Sequence, residues 1–163
     1  MAIKANFTRG DVEKRFNAFL EEIEKQQVRR LQMLGEKCVA HAKSISPEQG
    51  FHDQTGNLRS SIGYMVFKDG VAIHGQYEVI TGTSPAGKSL DGSTGAKVGE
   101  ALARKVGEKT KGISLVVTAG MNYALAVESK GRDVISSAEH LAQRELPKML
   151  EKLIGNIQEA TTG

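Results

Sequence analysis

Residues 82–89 read GTSPAGKS: a glycine, four residues, then Gly87-Lys88-Ser89, the spacing of a phosphate-cradling loop. In such a loop the backbone amides wrap the phosphates, the lysine reaches them, and the hydroxyl holds magnesium. That chemistry needs a buried parallel strand before the loop and a helix whose first turn carries the lysine. Neither neighbour qualifies. The preceding VAIHGQYEVI (71–80) alternates apolar and polar residues, the mark of a half-exposed antiparallel strand. The following LDGSTG (90–95) sets two glycines where the helix should be running. Magnesium also needs an acid at the end of an apolar strand, and ISLVVTA (113–119) ends in Gly120. GTSPAGKS is therefore expected to be the tip of a flexible loop, and a nucleotide hydrolase is the weakest reading of the chain.

Other reactive residues are scattered. His41, His52, His74 and His140 form no spacing pattern. Cys38 and His41 lie three apart on a predicted helix, but two ligands do not make a zinc site. A buried thiol and a surface imidazole are the expectation. No G-x-S-x-G, H-E-x-x-H or C-x-x-C occurs. The sequence thus points away from an enzyme and asks for no metal or cofactor.

Charge offers one further function class. The formal net charge is only +3, but residues 1–45 carry nine Lys/Arg against six Asp/Glu, and residues 85–112 carry six against three. Arg29, Arg30, Lys88, Lys105, Lys109 and Lys111 are the candidate contacts to a partner or to nucleic-acid phosphates. Acids interrupt both basic regions, so solvated faces of mixed charge are the plainer reading. Single-strand binding would want aromatics among basic residues, whereas Tyr64 and Tyr77 sit at alternating, core-like positions.

The elements that must position these groups follow from periodicity. At 163 residues, 39% hydrophobic and 25% charged, the chain suits one folded domain. Its start, MAIKANFTRGDVEKRF, shows no apolar leader core, and no run approaches the roughly 18 apolar residues of a spanning helix. With one cysteine, synthesis and retention in a reducing cytoplasm are expected.

Thr8 and Asp11 resemble a capping box, and Val12, Phe16, Phe19, Leu20, Ile23, Leu31, Leu34, Cys38, Ala42 and Ile45 recur at three-four spacing. This predicts a helix of roughly 35 residues, stopped by Ser46-Pro47. At about 50 Å it outreaches a domain of this size, so either it breaks at Gly35 or at the polar gap 24–27, or part of it projects toward another subunit.

Asp69-Gly70 between alternating runs predicts a hairpin with one buried face, and Gly75 a bulge or close approach. Residues 81–95 read as a loop. A helix follows over 96–109 with modest apolar content (Val98, Leu102 and Val106), then a strand over 113–119 and a short helix over 122–128. Ser136 and Glu139 predict a capping box opening a last helix to about Ala160, with Pro147 kinking it or marking its first turn.

Two stretches carry a family resemblance. TGNLRSSI (55–62), followed by a hairpin, resembles the T-G-x-L-x-x-S-I signature of phage and prophage tail-completion (head-to-tail joining, minor tail or neck) proteins. NYALAVESKG, downstream of a strand, resembles that family's Y-A-x-x-V-E-x-G, with Ser129 and Lys130 spacing Glu128 from Gly131. The element order also agrees over residues 10–155.

The resemblance implies structural roles for Thr55, Gly56, Leu58, Arg59, Ser61 and Ile62, and for Tyr123, Ala124, Val127 and Glu128. Thr55 is expected to cap a turn, Leu58 and Ile62 to pack, Tyr123 and Val127 to face the sheet, and Glu128 to pair with Arg59 or with a cation of another subunit. It further implies a non-enzymatic virion component of the tail or neck, held in the host cytoplasm before assembly. Its partners would be its own copies in a ring within the virion (with a monomer as the alternative for the isolated chain), portal-side connector proteins and tail-tube proteins, with non-specific DNA contact as an addition.

The expected fold is α+β: one domain over 1–163, with a small antiparallel β-sheet of about four strands. The long N-terminal helix and the C-terminal helix pack on one face, and 81–112 is an inserted Gly-rich loop plus a short helix.

Overall fold

The computed structural model describes residues 6–162; residues 1–5, where the stretch read for a leader begins, lie outside them. In chain order the elements are α1 (Arg9–Ser44), α2 (Asn57–Ser60), β1 (Ile62–Lys68), β2 (Val71–Tyr77), β3 (Thr81–Thr83), β4 (Ser89–Asp91), α3 (Ser93–Gly107), β5 (Ile113–Ala119), α4 (Ala124–Glu128) and α5 (Ser136–Thr162). The architecture is α+β, with a long N-terminal helix, a small antiparallel sheet and a C-terminal helix.

The Thr8–Asp11 capping box forms with both of its hydrogen bonds, Asp11 N–H to Thr8 Oγ1 at 3.2 Å and Thr8 N–H to the Asp11 carboxylate at 2.8 Å. From there α1 runs 36 residues without a break, about 54 Å. Gly35 does not interrupt it. A Cβ there would come within 2.4 Å of the Tyr64 ring, so the glycine lets the helix lie against β1. Only the C-terminal half of α1 is seated: Leu34, Cys38 and Ala42 are buried, whereas Val12, Phe16 and Leu20 are exposed.

The sheet order is β2-β1-β5, all antiparallel. The Asp69-Gly70 turn takes positive φ at both residues (49° and 82°), as the predicted hairpin requires. Register slips between Val66 and Phe67, leaving Ile73 as the extra residue on β2. Gly75 is not the bulge. It pairs with Met65, whose side chain a Cβ would approach to 2.8 Å.

The expectation of one buried face fails for β1, which is buried from Ile62 to Phe67. As the central strand it is covered on both sides. Ile62 packs with Leu34, Cys38, Ala42 and Ala138 from α1 and α5, whereas Met65 and Phe67 pack with Ala103 of α3. Alternate residues of a strand point to opposite faces, so α3 lies on the sheet face away from α1.

α3 turns its small residues inward. Val98, Leu102 and Val106 are not its inward face; they are 38%, 38% and 45% exposed. The buried line is Gly95, Ala96, Gly99, Ala103 and Gly107. A Cβ at Gly99 would sit 2.3 Å from the Ser61 carbonyl, and one at Gly107 2.1 Å from the Phe67 ring. Small residues four apart bring the helix axis down to the sheet, and the larger side chains are left on its flank.

The segment expected as the loop 81–95 is a two-stranded hairpin, β3 with β4, before α3 begins at Ser93. The strands therefore divide into a three-stranded sheet and this separate arm. Residues 93–107 supply the second layer of the core.

α5 begins at Ser136 without the predicted box. The Ser136 hydroxyl bonds Glu128, and Glu139 accepts from Gln143. The helix continues through Pro147 to Thr162, so the proline is not its first turn.

Candidate functional site

TGNLRSSI is a junction of four elements. Gly56 holds a left-handed φ of 81°, and a Cβ there would press to 3.1 Å on the Ile80 carbonyl. The main cap of α2 is Asp53, not Thr55. Its two carboxylate oxygens accept from Gly56 N–H at 2.9 Å and Arg59 N–H at 2.8 Å. Thr55 Oγ1 takes a long bond from Asn57 N–H, at 3.4 Å, and another from the Asn57 side-chain amide at 3.2 Å. A carboxylate spans both amides; the shorter threonine hydroxyl reaches one at the limit.

Leu58 and Ile62 enter the core as expected. Arg59 donates to the Lys43 carbonyl at 3.1 Å, and its guanidinium lies 5.5 Å from the Phe51 ring centroid. It thereby ties the end of α1 to the following loop. Ser61 is fully buried and donates to the Leu58 carbonyl.

Two residues the sequence reading passed over complete the junction. Asn57 Oδ1 accepts from Gly95 N–H at 2.8 Å, inside the first turn of α3. Ser60 Oγ, also fully buried, accepts from Ile80 N–H at 2.8 Å at the base of the hairpin arm. The Thr55 carbonyl receives Asp91 N–H from the other side of that arm. Both residues stand at variable positions of the signature, yet a small polar side chain beside a glycine is the local signal for such a bond.

The second motif meets the first. Tyr123, Val127, Lys130 and Arg132 share a shallow depression of about 400 Å³ with Phe51, Asp53, Thr55 and Leu58. Tyr123 and Val127 thus lean on the 51–58 segment, and Tyr123 stays 39% exposed. Burial and the Asp53 charge raise its phenol pKa, against a lowering hydrogen bond with Thr55. Ala124 is buried in the main core.

Glu128 does not pair with Arg59. Its Oε1 accepts from Ile135 N–H (2.8 Å), Ser136 N–H (3.0 Å) and Ser136 Oγ (2.9 Å), with Val134 N–H at 3.4 Å. Partial burial pushes this carboxyl up, but the Ile135, Ser136 and Val134 donors outweigh burial and hold it below its usual range. Asp133 adds a bond from Ser137 N–H. Glu128 and Asp133 are therefore the cap of α5, in place of the predicted Ser136–Glu139 box.

GTSPAGKS lies across β3, a turn and β4. Ser84 N–H bonds the Lys88 carbonyl, Gly87 N–H the Ser84 carbonyl, and Lys88 N–H the Ser84 hydroxyl. These amides close the hairpin instead of converging on an empty cradle, and Ser89 begins a strand. Lys88 is exposed at the tip. Phosphate cradling needs free amides aimed at one point before a helix, and here the helix starts four residues later.

The basic candidates do not form one patch. Arg29 is exposed on α1, and Arg30 beside it donates to Gln26 at 3.1 Å. Lys105, Lys109 and Lys111 are exposed on α3 and the turn after it, on the other side of the sheet. Cys38 is buried with its Sγ 3.6 Å from the Ala138 carbonyl, and burial raises its thiol pKa; His41 is exposed.

Among the described residues no three His, Cys, Asp or Glu side chains are grouped to hold a metal ion, and no helix is long and apolar enough to cross a membrane. A recess of about 710 Å³ lies between α1, β5 and α5 and is lined mainly by apolar side chains such as Leu31, Leu34, Leu115, Leu146 and Leu153. Of its polar members, Arg30, Ser114 and Glu139 bond within their own element or turn. Comparison with protein-family models, curated proteins and solved structures returns no match.

Proposed function

We propose that the chain is a non-enzymatic phage or prophage morphogenesis protein of the head–tail junction, acting in tail completion or joining through subunit–subunit contacts. The observation that carries the reading is the use of the two resembling stretches. TGNLRSSI and NYALAVE meet around Leu58 and Tyr123, and their polar groups hold α1, α3, α5 and the hairpin arm in place. The motifs are thereby accounted for as architecture, while apolar helix faces and the arm point outward. A protein that works by contact is built in this way.

In this reading the partners are copies of the same chain in a ring, portal-side connector proteins and tail-tube proteins. The location is the tail or neck of the virion, after a period in the host cytoplasm. The reading frames flanking the gene test it directly. Large-terminase, portal, capsid or tail-tube neighbours support it, and metabolic or DNA-processing neighbours overturn it.

A second reading, a basic nucleic-acid-binding module, is favoured by Lys105, Lys109 and Lys111. All three are exposed, and none has a carboxylate partner among the described residues. It requires duplex affinity that falls steeply with salt. A DNA gel with no salt-sensitive shift would remove it.

A further inference from the structure

Two apolar stripes are left open, one on each side of the sheet. On the unseated half of α1, Val12, Phe16 and Leu20 recur every four residues, and half-buried Phe19 and Ile23 fall on the same face. On α3, Val98, Leu102 and Val106 recur every four residues. Val12 to Leu20 and Val98 to Val106 are eight residue steps each, about 12 Å of helix, and Ile23 carries the α1 stripe about a turn further.

The opposite flank of α3 is turned toward β2. Glu100 and Arg104 line a depression there with Ala72, His74 and Tyr77. The Val98–Leu102–Val106 flank therefore faces the β5 side, where the sheet order leaves the outer edge of β5 unpaired.

The charges around the two stripes are opposite. The projecting half of α1, residues 9–25, carries five acids (Asp11, Glu13, Glu21, Glu22, Glu24) against four bases (Arg9, Lys14, Arg15, Lys25), a balance of −1, with Glu13 paired to Arg9 and Glu24 to Lys68. Residues 97–111 carry five bases (Lys97, Arg104, Lys105, Lys109, Lys111) against Glu100 and Glu108, a balance of +3. The stripes are not matched within one chain. α1 is seated on the Tyr64 face of β1 and α3 on the Phe67 face, and the sheet stands between them.

We infer that the projecting half of α1 in one copy docks on the Val98–Leu102–Val106 flank of α3 in a second copy, with Lys105, Lys109 and Lys111 meeting its acidic turns. This deepens the assembly reading and rests on it, because it names the contact through which copies join. The contact is heterologous: every copy presents one surface and accepts with the other. Repetition then closes a ring or continues as a filament, according to the rotation per step.

The test uses the full chain and two surface variants, Phe16→Asp and Leu102→Asp, each checked for an unchanged circular-dichroism spectrum. Sedimentation is followed from micromolar to about 1 mM, the weak end of measurable association. The wild type is expected to grow beyond a dimer with concentration, and each variant alone to remain monomeric. An equimolar mixture of the two variants is expected to give a 1:1 dimer and nothing larger, because each retains the surface the other lost.

Self-association of Leu102→Asp with no heterodimer in the mixture would mean that the α1 stripe pairs with itself, which overturns the inference. A wild type that stays monomeric throughout also overturns it. Neither result touches the tail-completion reading, which the flanking reading frames decide separately.

Discussion

Replacing Glu128 with alanine removes the shared acceptor at the start of α5. Three donors lie within 3.0 Å of its Oε1, two of them backbone amides that no helical carbonyl satisfies. Loss of a helix cap costs about 0.5–2 kcal/mol, and hydrogen bonds to a charged acceptor run higher, about 1.5–3 kcal/mol when dry. Glu128 is only half-buried, so water replaces part of what is lost. The expected destabilisation is about 2 kcal/mol, or about 4–8 °C in midpoint for a chain of this size.

Glu128→Gln keeps a neutral acceptor and should lose about half of that. The sign of the pH dependence follows from the lowered folded-state pKa. The carboxylate contributes above the unfolded pKa, and the contribution fades as pH falls through the folded value. Urea unfolding of wild type and Glu128→Gln should thus differ near pH 7 and converge in acid below the ordinary glutamate range. A Glu128→Ala protein within about 0.5 kcal/mol of wild type at pH 7, or a difference that does not shrink in acid, would refute the cap.

Glycines in two helices should respond with opposite signs. Gly99→Ala forces a methyl onto the Ser61 carbonyl and should cost about 1–3 kcal/mol, whereas Gly155→Ala in α5 meets nothing within 4 Å and should stabilise by about 0.5–1 kcal/mol in thermal unfolding. Lys88→Ala at the hairpin tip should leave stability within about 0.5 kcal/mol and nucleotide titrations flat. Loss of measurable ATP or GTP binding on that change would restore the phosphate-loop reading. Asn57→Ala leaves the Gly95 amide without its side-chain acceptor and should cost about 1–2 kcal/mol in urea unfolding, with faster amide exchange at the start of α3 as its signature.

Much of the candidate site was legible because its signals are local. TGNLRSSI announces a tight turn and two core anchors through its own spacing, and Gly56, Leu58 and Ile62 occupy those places. The partners of its polar groups were not legible. Asn57 reaches Gly95 across 38 residues and Ser60 reaches Ile80 across 20. Glu128 is seven and eight residues from its donors, outside any capping-box spacing. No periodicity encodes such pairings.

Local chemistry along the chain was enough for what lies within a few bonds of each residue: the capped start of α1, the Asp69-Gly70 hairpin, the 113–119 strand, and the failure of GTSPAGKS to sit before a helix. Those outcomes depend on torsions, caps and alternation that a short window contains. Which face of α3 turns inward depends instead on long-range packing. Val98, Leu102 and Val106 are the larger apolar residues of the helix, but the close approach to Ser61 and Phe67 admits only Gly95, Gly99, Ala103 and Gly107. Burial in a packed layer is settled by the space the neighbouring element leaves, and that space is set by residues distant in the chain.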